Sequence, residues 1–154
     1  MKQDRFLIVI LGFILFLVVI AVGLFFIRQE PQTYGPEDSP EGVVRNYVLA
    51  LQADDYLRAY GYLQDATDKP NFSTFQQSLL RNETRFSSIG VQLGEVEIWE
   101  NNARVDVNII HNSSDPFDST WNENATALLL LQDGKWVITS MPYPYWGWDW
   151  YIEK

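Results

Sequence analysis

Hydrophobic and polar positions change rhythm twice along the chain. From Phe6 to Ile27, FLIVILGFILFLVVIAVGLFFI, twenty-two residues pass without a charged or strongly polar side chain. As a helix this stretch is roughly 33 Å long, enough to cross the hydrocarbon core of a bilayer. Between Pro40 and Leu80 apolar residues recur every three or four positions, the spacing of helices with one buried stripe. From Thr84 onward the period becomes two, the spacing of strands.

Within the helical part, Ser39-Pro40-Glu41 reads as a helix start: Ser39 is the N-cap, Pro40 the first helical residue, and Glu41 faces the positive end of the dipole. Val43, Val44, Tyr47, Val48 and Leu51 give this helix, about Pro40 to Ala53, its apolar stripe. Asp54-Asp55 caps a second, shorter helix through Tyr56, Leu57, Ala59, Tyr60 and Leu63 to about Gln64. Asp65 to Asn71 is a loop. A third helix opens at Phe72 or Ser73 and runs through Leu80, with Phe72, Phe75, Leu79 and Leu80 as its buried residues.

The strands follow. A long one carries Phe86, Ile89, Val91, Leu93, Val96, Ile98 and Trp99, with Gly90 and Gly94 as bend or bulge positions. Asn101-Asn102 predicts a turn and Ala103 to His111 an antiparallel return. A polar loop, Asn112 to Asn122, precedes a third strand, Glu123 to Gln132. Asp133-Gly134 is a strong hairpin turn into Lys135 to Ser140. Helices followed by an antiparallel meander predict an α+β domain: three helices packed on a curved four-stranded antiparallel sheet, behind an N-terminal transmembrane helix.

Charge orients that helix. Lys2 and Arg5 lie on the short N-terminal side, whereas Arg28 is followed by Glu30, Glu37, Asp38 and Glu41. The positive-inside rule then puts the N-terminus in the cytoplasm and everything after Arg28 outside it, periplasmic or on the cell surface. The rival reading is a secretory signal peptide, since Ala21-Val22-Gly23 resembles a cleavage site; the apolar run continues through Ile27, which favours an uncleaved anchor. The expected organisation is a stub and anchor over 1–28, a linker over 29–38, a domain over 39–142 and an aromatic tail over 143–154.

Pro31 to Lys154 holds eight Lys or Arg against eighteen Asp or Glu, a formal charge of −10. That balance argues against nucleic acid and anionic lipid head groups as partners. The absence of cysteine removes disulfides, thiolate catalysis and thiolate metal sites together. An exported domain held by packing alone suits a bacterial source. Against this, Asn71-Phe72-Ser73, Asn82-Glu83-Thr84, Asn112-Ser113-Ser114 and Asn124-Ala125-Thr126 all satisfy the N-glycosylation pattern.

The run VRNYVLALQADDYLRAYGYL, Val44 to Leu63, and the ending LLLLQDGKWVITSMP, Leu128 to Pro142, resemble the opening and the last hairpin of NTF2-like (cystatin-like α+β roll) domains of exported bacterial proteins. The resemblance implies a cone-shaped domain over about Ser39 to Pro142 and is nearly silent on function, because the superfold hosts isomerases, dehydratases, transport adaptors and non-catalytic accessory domains. Isomerases of the family use a carboxylate base with tyrosine and a protonated acid as oxyanion donors. Tyr47, Tyr56, Tyr60, Tyr62, Asp106 and His111 are the groups available, but none sits in a matching motif, so no catalytic residue, cofactor or metal ligand is assigned. Asp106, between Val105 and Val107, falls on the solvent face, and His111 reads as a solvated strand-end residue. Asp115 and Asp118 in the polar loop lack EF-hand spacing.

The tail departs from the family. Tyr143, Tyr145, Trp146, Trp148, Trp150 and Tyr151 put six aromatics into nine residues. If extended, Trp146, Trp148 and Trp150 project one way, which predicts a docking strip for another protein. The competing readings are a plug folded over the chain's own sheet, a strip dipping into the bilayer interface, and a sugar-stacking surface. The expected function is that of a non-catalytic, membrane-anchored extracytoplasmic binding domain, an accessory or structural subunit of a larger bacterial membrane complex such as a respiratory or photosynthetic one. Its expected partners are the bilayer, through Phe6 to Ile27, and other subunits of that complex. The alternative is a small-ligand-binding, isomerase-like or hydro-lyase domain using the cone pocket.

Overall fold

A computed structural model describes residues 2–28, 33–81, 86, 89–111, 121–147 and 149–151. The chain divides into two compact units, Met1–Thr33 and Tyr34–Lys154. The first is the helix α1, Lys2–Arg28. Its window Leu7–Leu24 has a mean hydropathy of 3.4 and buries none of its length in protein, so it is long and apolar enough to cross a membrane; a signal sequence meets the same criterion.

The second unit opens with three helices. In α2, Pro40–Gln52, the Ser39 hydroxyl accepts from the Gly42 amide at 3.2 Å and Pro40 occupies the first turn, as the sequence predicts. More of α2 is buried than one stripe requires, Asn46, Leu49 and Ala50 included. One cause is local. The Asn46 carboxamide exchanges two 2.9 Å hydrogen bonds with the backbone of Gly35, which fixes the preceding segment against the helix.

In α3, Tyr56–Gly61, Asp55 caps the Arg58 amide at 3.1 Å. This helix stops before the expected Gln64. The chain turns extended there, because Gln64 donates to the Ile138 carbonyl at 2.9 Å and Ile138 donates to that of Tyr62 at 2.8 Å. Leu57, expected in its apolar stripe, is exposed. Helix α4, Phe72–Arg81, is capped by Asn71, whose side chain accepts from Thr74 at 2.9 Å. It buries Phe75 and Leu79, while Leu80 lies outward, contrary to expectation.

Four strands, β1 Ile89–Trp99, β2 Asn102–His111, β3 Trp121–Gln132 and β4 Lys135–Ser140, form one antiparallel sheet in sequence order. The first strand begins at Ile89 rather than near Phe86, and the third begins two residues before the expected Glu123. Gly90 pairs in register with Ile110, so of the two expected glycine irregularities the sheet has the one at Gly94, between Leu93 and Val96. The β1–β2 turn lies one residue earlier than expected: Asn102 already pairs with Trp99, and Glu100 takes the positive φ of 53°. Asp133 and Gly134, at φ 52° and 77°, make the expected β3–β4 hairpin.

Alternation then sorts the faces. Ala103, Val105, Val107, Ile109, Ala127, Leu129 and Ile138 point inward and join Val44, Tyr47, Leu51, Leu63, Phe75 and Leu79 in one core. The opposite face carries Arg104, Asp106, Asn108 and their neighbours across the strands.

Candidate functional site

Among the described residues, two places stand out for function: the tail, which the sequence singles out, and the outer face of the sheet.

The described part of the tail is not extended. Tyr143 to Trp146 and Asp149 to Tyr151 bend and turn, so alternate side chains do not share a face. Tyr145 is fully buried and Trp150 is 5% exposed; Trp146 and Tyr151 are half-buried, Tyr143 stays exposed, and Trp148 lies outside the described residues. The Trp150 indole lies 4.9 Å from the Phe75 ring and donates to the Ser78 hydroxyl at 3.0 Å. Tyr47 donates to the Tyr145 carbonyl at 2.7 Å, and Tyr151 to that of Gln64 at 2.6 Å. Tyr145 stacks on Phe86 at 5.3 Å.

Gly147 is required by this arrangement, since a Cβ there would run into the Trp150 indole. In this conformation Tyr145 and Trp150 are core residues of their own domain, which corrects the exposed apolar strip. Of the expected docking residues that are described, Tyr143 and part of Trp146 and Tyr151 remain accessible.

Phe75, Leu79, Phe86, Tyr145 and Trp150 thus pack into the core with the inner side of the sheet. The tyrosines that a cone-pocket reading would use as oxyanion donors are engaged elsewhere. Tyr56 donates to Asp54 at 3.2 Å, Tyr60 to the Pro70 carbonyl at 2.8 Å, and Tyr62 to Glu37 at 2.7 Å. The Tyr62 bond, with help from Arg58, holds the Glu37 carboxyl below its ordinary range. Arg58 also lies 3.5 Å over the Tyr34 ring, so Tyr34 to Asp38, expected as free linker, is tied to the helices. Burial pushes the Tyr47 phenol well above its ordinary range, and Tyr145 and Tyr151 likewise. His111 ends β2 as expected but is not solvated: it stacks on Trp121 at 3.8 Å and lies 3.8 Å from Glu123, with its side chain about one-fifth exposed.

On the outer face the strands cradle a groove of about 520 Å³, lined by Gln92, Leu93, Gly94, Asp106, Val107, Asn108, Asn124, Ala125 and Thr126. Register brings these together. Gln92 faces Asn108, Asn108 faces Asn124, and Asp106 faces Thr126. A Cβ at Gly94 would come within 3.2 Å of the Asp106 Cβ, so the glycine keeps the floor open. Asp106, expected on the solvent face, is there, 3.7 Å from Arg104, which also pairs with Glu97 at 3.3 Å. The Asn108 Oδ1 is buried and has no hydrogen-bond partner among the described residues.

Apart from Asp106, the sequence does not single these residues out as a binding surface. The one available signal was the sequon Asn124-Ala125-Thr126, whose two-residue spacing puts both polar side chains on the same face of a strand. Of the other sequons, Asn71 is an exposed helix cap, while Asn82, Asn112 and the Asp115–Asp118 loop lie outside the described residues.

No protein-family model and no curated protein matches this chain. Solved structures do. A SEC-C motif protein of Rhodopseudomonas palustris superposes with a TM-score of 0.51 at 9% identity, over 69% of this chain and 79% of its own. A Campylobacter jejuni protein provisionally described as an NTF2-like transpeptidase gives 0.48 at 18% identity, over 65% and 96%. A cystatin-fold protein of Novosphingobium aromaticivorans gives 0.45 at 10%, over 66% and 94%. At these identities the likeness is one of fold, and the chain is α+β, with its helices ahead of a single four-stranded antiparallel sheet.

Proposed function

We propose that the chain is a single-pass, membrane-anchored extracytoplasmic domain that acts by binding, as an accessory or structural subunit of a larger bacterial membrane complex. The observation that carries this reading is α1, whose uninterrupted apolar window precedes an acidic unit with its own core. The burial of Tyr145 and Trp150 in the core with Phe75 and Phe86 supports a binding role over chemistry in a cone pocket, because aromatics of the chain's own tail pack where that reading would look for a substrate. The accessible part of the tail, Tyr143 with the edges of Trp146 and Tyr151, is where contact with a neighbouring subunit is expected.

Mild extraction of the native membrane, native electrophoresis and mass spectrometry test this reading. Co-migration with a large assembly in fixed ratio is expected, with loss of that co-migration in Tyr143→Ser, a substitution at an exposed position. Migration alone would reject the subunit role. Release of the domain into solution, without α1, would reject the anchor.

A further inference from the structure

We propose that the outer-face groove is a binding site for a neutral saccharide. The inference goes beyond the subunit role and does not depend on it.

The lining carries the argument. Gln92, Asn108 and Asn124 place three carboxamides in one register-matched row across adjacent strands, and Asp106 with Thr126 forms the next row. A carboxamide offers both donors and acceptors, and so does a hydroxyl; a surface of this kind matches a ligand that is itself covered in hydroxyls. The Asn108 Oδ1 is a buried acceptor with no hydrogen-bond partner among the described residues, so a ligand hydroxyl toward which the carboxamide turns would satisfy it.

Charge narrows the class. The chain's net charge of −9 disfavours anions. The carboxylate of the groove, Asp106, lies 3.7 Å from the Arg104 guanidinium, an exposed ion pair that offsets part of its charge while leaving its oxygens free to accept from a hydroxyl. Size and shape fit as well. A volume of about 520 Å³ lies inside the ~300–1,000 Å³ range of small-molecule clefts and leaves room for a ligand of disaccharide size. Gly94 contributes no side chain, so a sugar ring can approach the backbone of β1.

The test uses the full chain in a non-glycosidic detergent, so that no sugar head group competes. Side-chain amide resonances of Gln92, Asn108 and Asn124 are followed by NMR during titration with cellobiose and, separately, N,N′-diacetylchitobiose. Saturable shifts of these amides are expected with at least one sugar, and the two arms separate plain glycans from N-acetylated ones. Asn124→Ala, at an exposed position, should weaken binding about three- to tenfold, the loss expected for one or two hydrogen bonds. Asn108→Ala should do the same, and if that variant does not fold, Asn124→Ala decides alone. No saturable shift with either sugar, or shifts that persist unchanged in Asn124→Ala, would overturn the proposal.

Discussion

The residue that decides the tail's role is Trp150. Its indole combines near-complete burial, a ring contact with Phe75 and a hydrogen bond to Ser78. Trp150→Ala should therefore cost about 3–5 kcal/mol in chemical unfolding of the full chain. Gly147→Ala should cost about 1–3 kcal/mol, because the added methyl must displace that indole. Tyrosine ionisation adds a pH signature. Burial raises the phenols of Tyr47, Tyr145 and Tyr151, so their contribution is fully present below the unfolded value of about 10 and is lost as pH rises toward the folded values. Stability should fall steeply above about pH 10. Tyr47→Phe loses the 2.7 Å bond to Tyr145, about 1 kcal/mol near neutrality, yet should flatten the alkaline decline when unfolding is followed against pH. The aromatic spacing of Tyr143 to Tyr151 was plain in the sequence; its fate was not. Reading Trp146, Trp148 and Trp150 as one face assumed an extended backbone, and that assumption fails where the chain turns at Tyr143 to Trp146 and again at Asp149 to Tyr151.

Elements were legible where a local device specifies them. Ser39-Pro40, Asp55 and Asp133-Gly134 each mark a boundary through their own backbone chemistry, and each boundary lies where that chemistry puts it. Ser39→Ala should accordingly destabilise the chain by about 1 kcal/mol in the same unfolding measurement, through the lost cap on Gly42. Boundaries set by distant contacts were not legible. Helix α3 ends early because Tyr62 and Gln64 bond to Ile138, more than seventy residues away. The outer groove is hidden for the same reason. Gln92, Asn108 and Asn124 become neighbours only once two strand registers are fixed, and no short window contains them. The alternation of Val105, Asp106 and Val107 did reveal which face each would take, since that depends on the strand alone.

At the scale of the whole molecule, the question is whether the tail belongs to the domain or to a partner. Truncation after Pro142 separates the two. It would uncover Phe75, Phe86 and Tyr47, and remove the hydrogen bonds that Ser78, Tyr47 and Gln64 make with the tail. Loss of the buried Tyr145 and Trp150 side chains alone amounts to a cost comparable with the ~5–15 kcal/mol that holds a typical domain together. The truncated chain should therefore lose its cooperative thermal transition and gain exposed apolar surface, read by dye binding. A tail that served only to dock would behave otherwise: its removal would leave the transition in place and abolish co-migration with other subunits. The contrast with Tyr143→Ser sharpens the test. That substitution touches the one described tail aromatic that stays exposed, so it should preserve the transition while probing the partner contact. Unfolding on truncation with normal stability in Tyr143→Ser would establish that most of the aromatic tail completes the core, leaving a narrow outer edge for recognition.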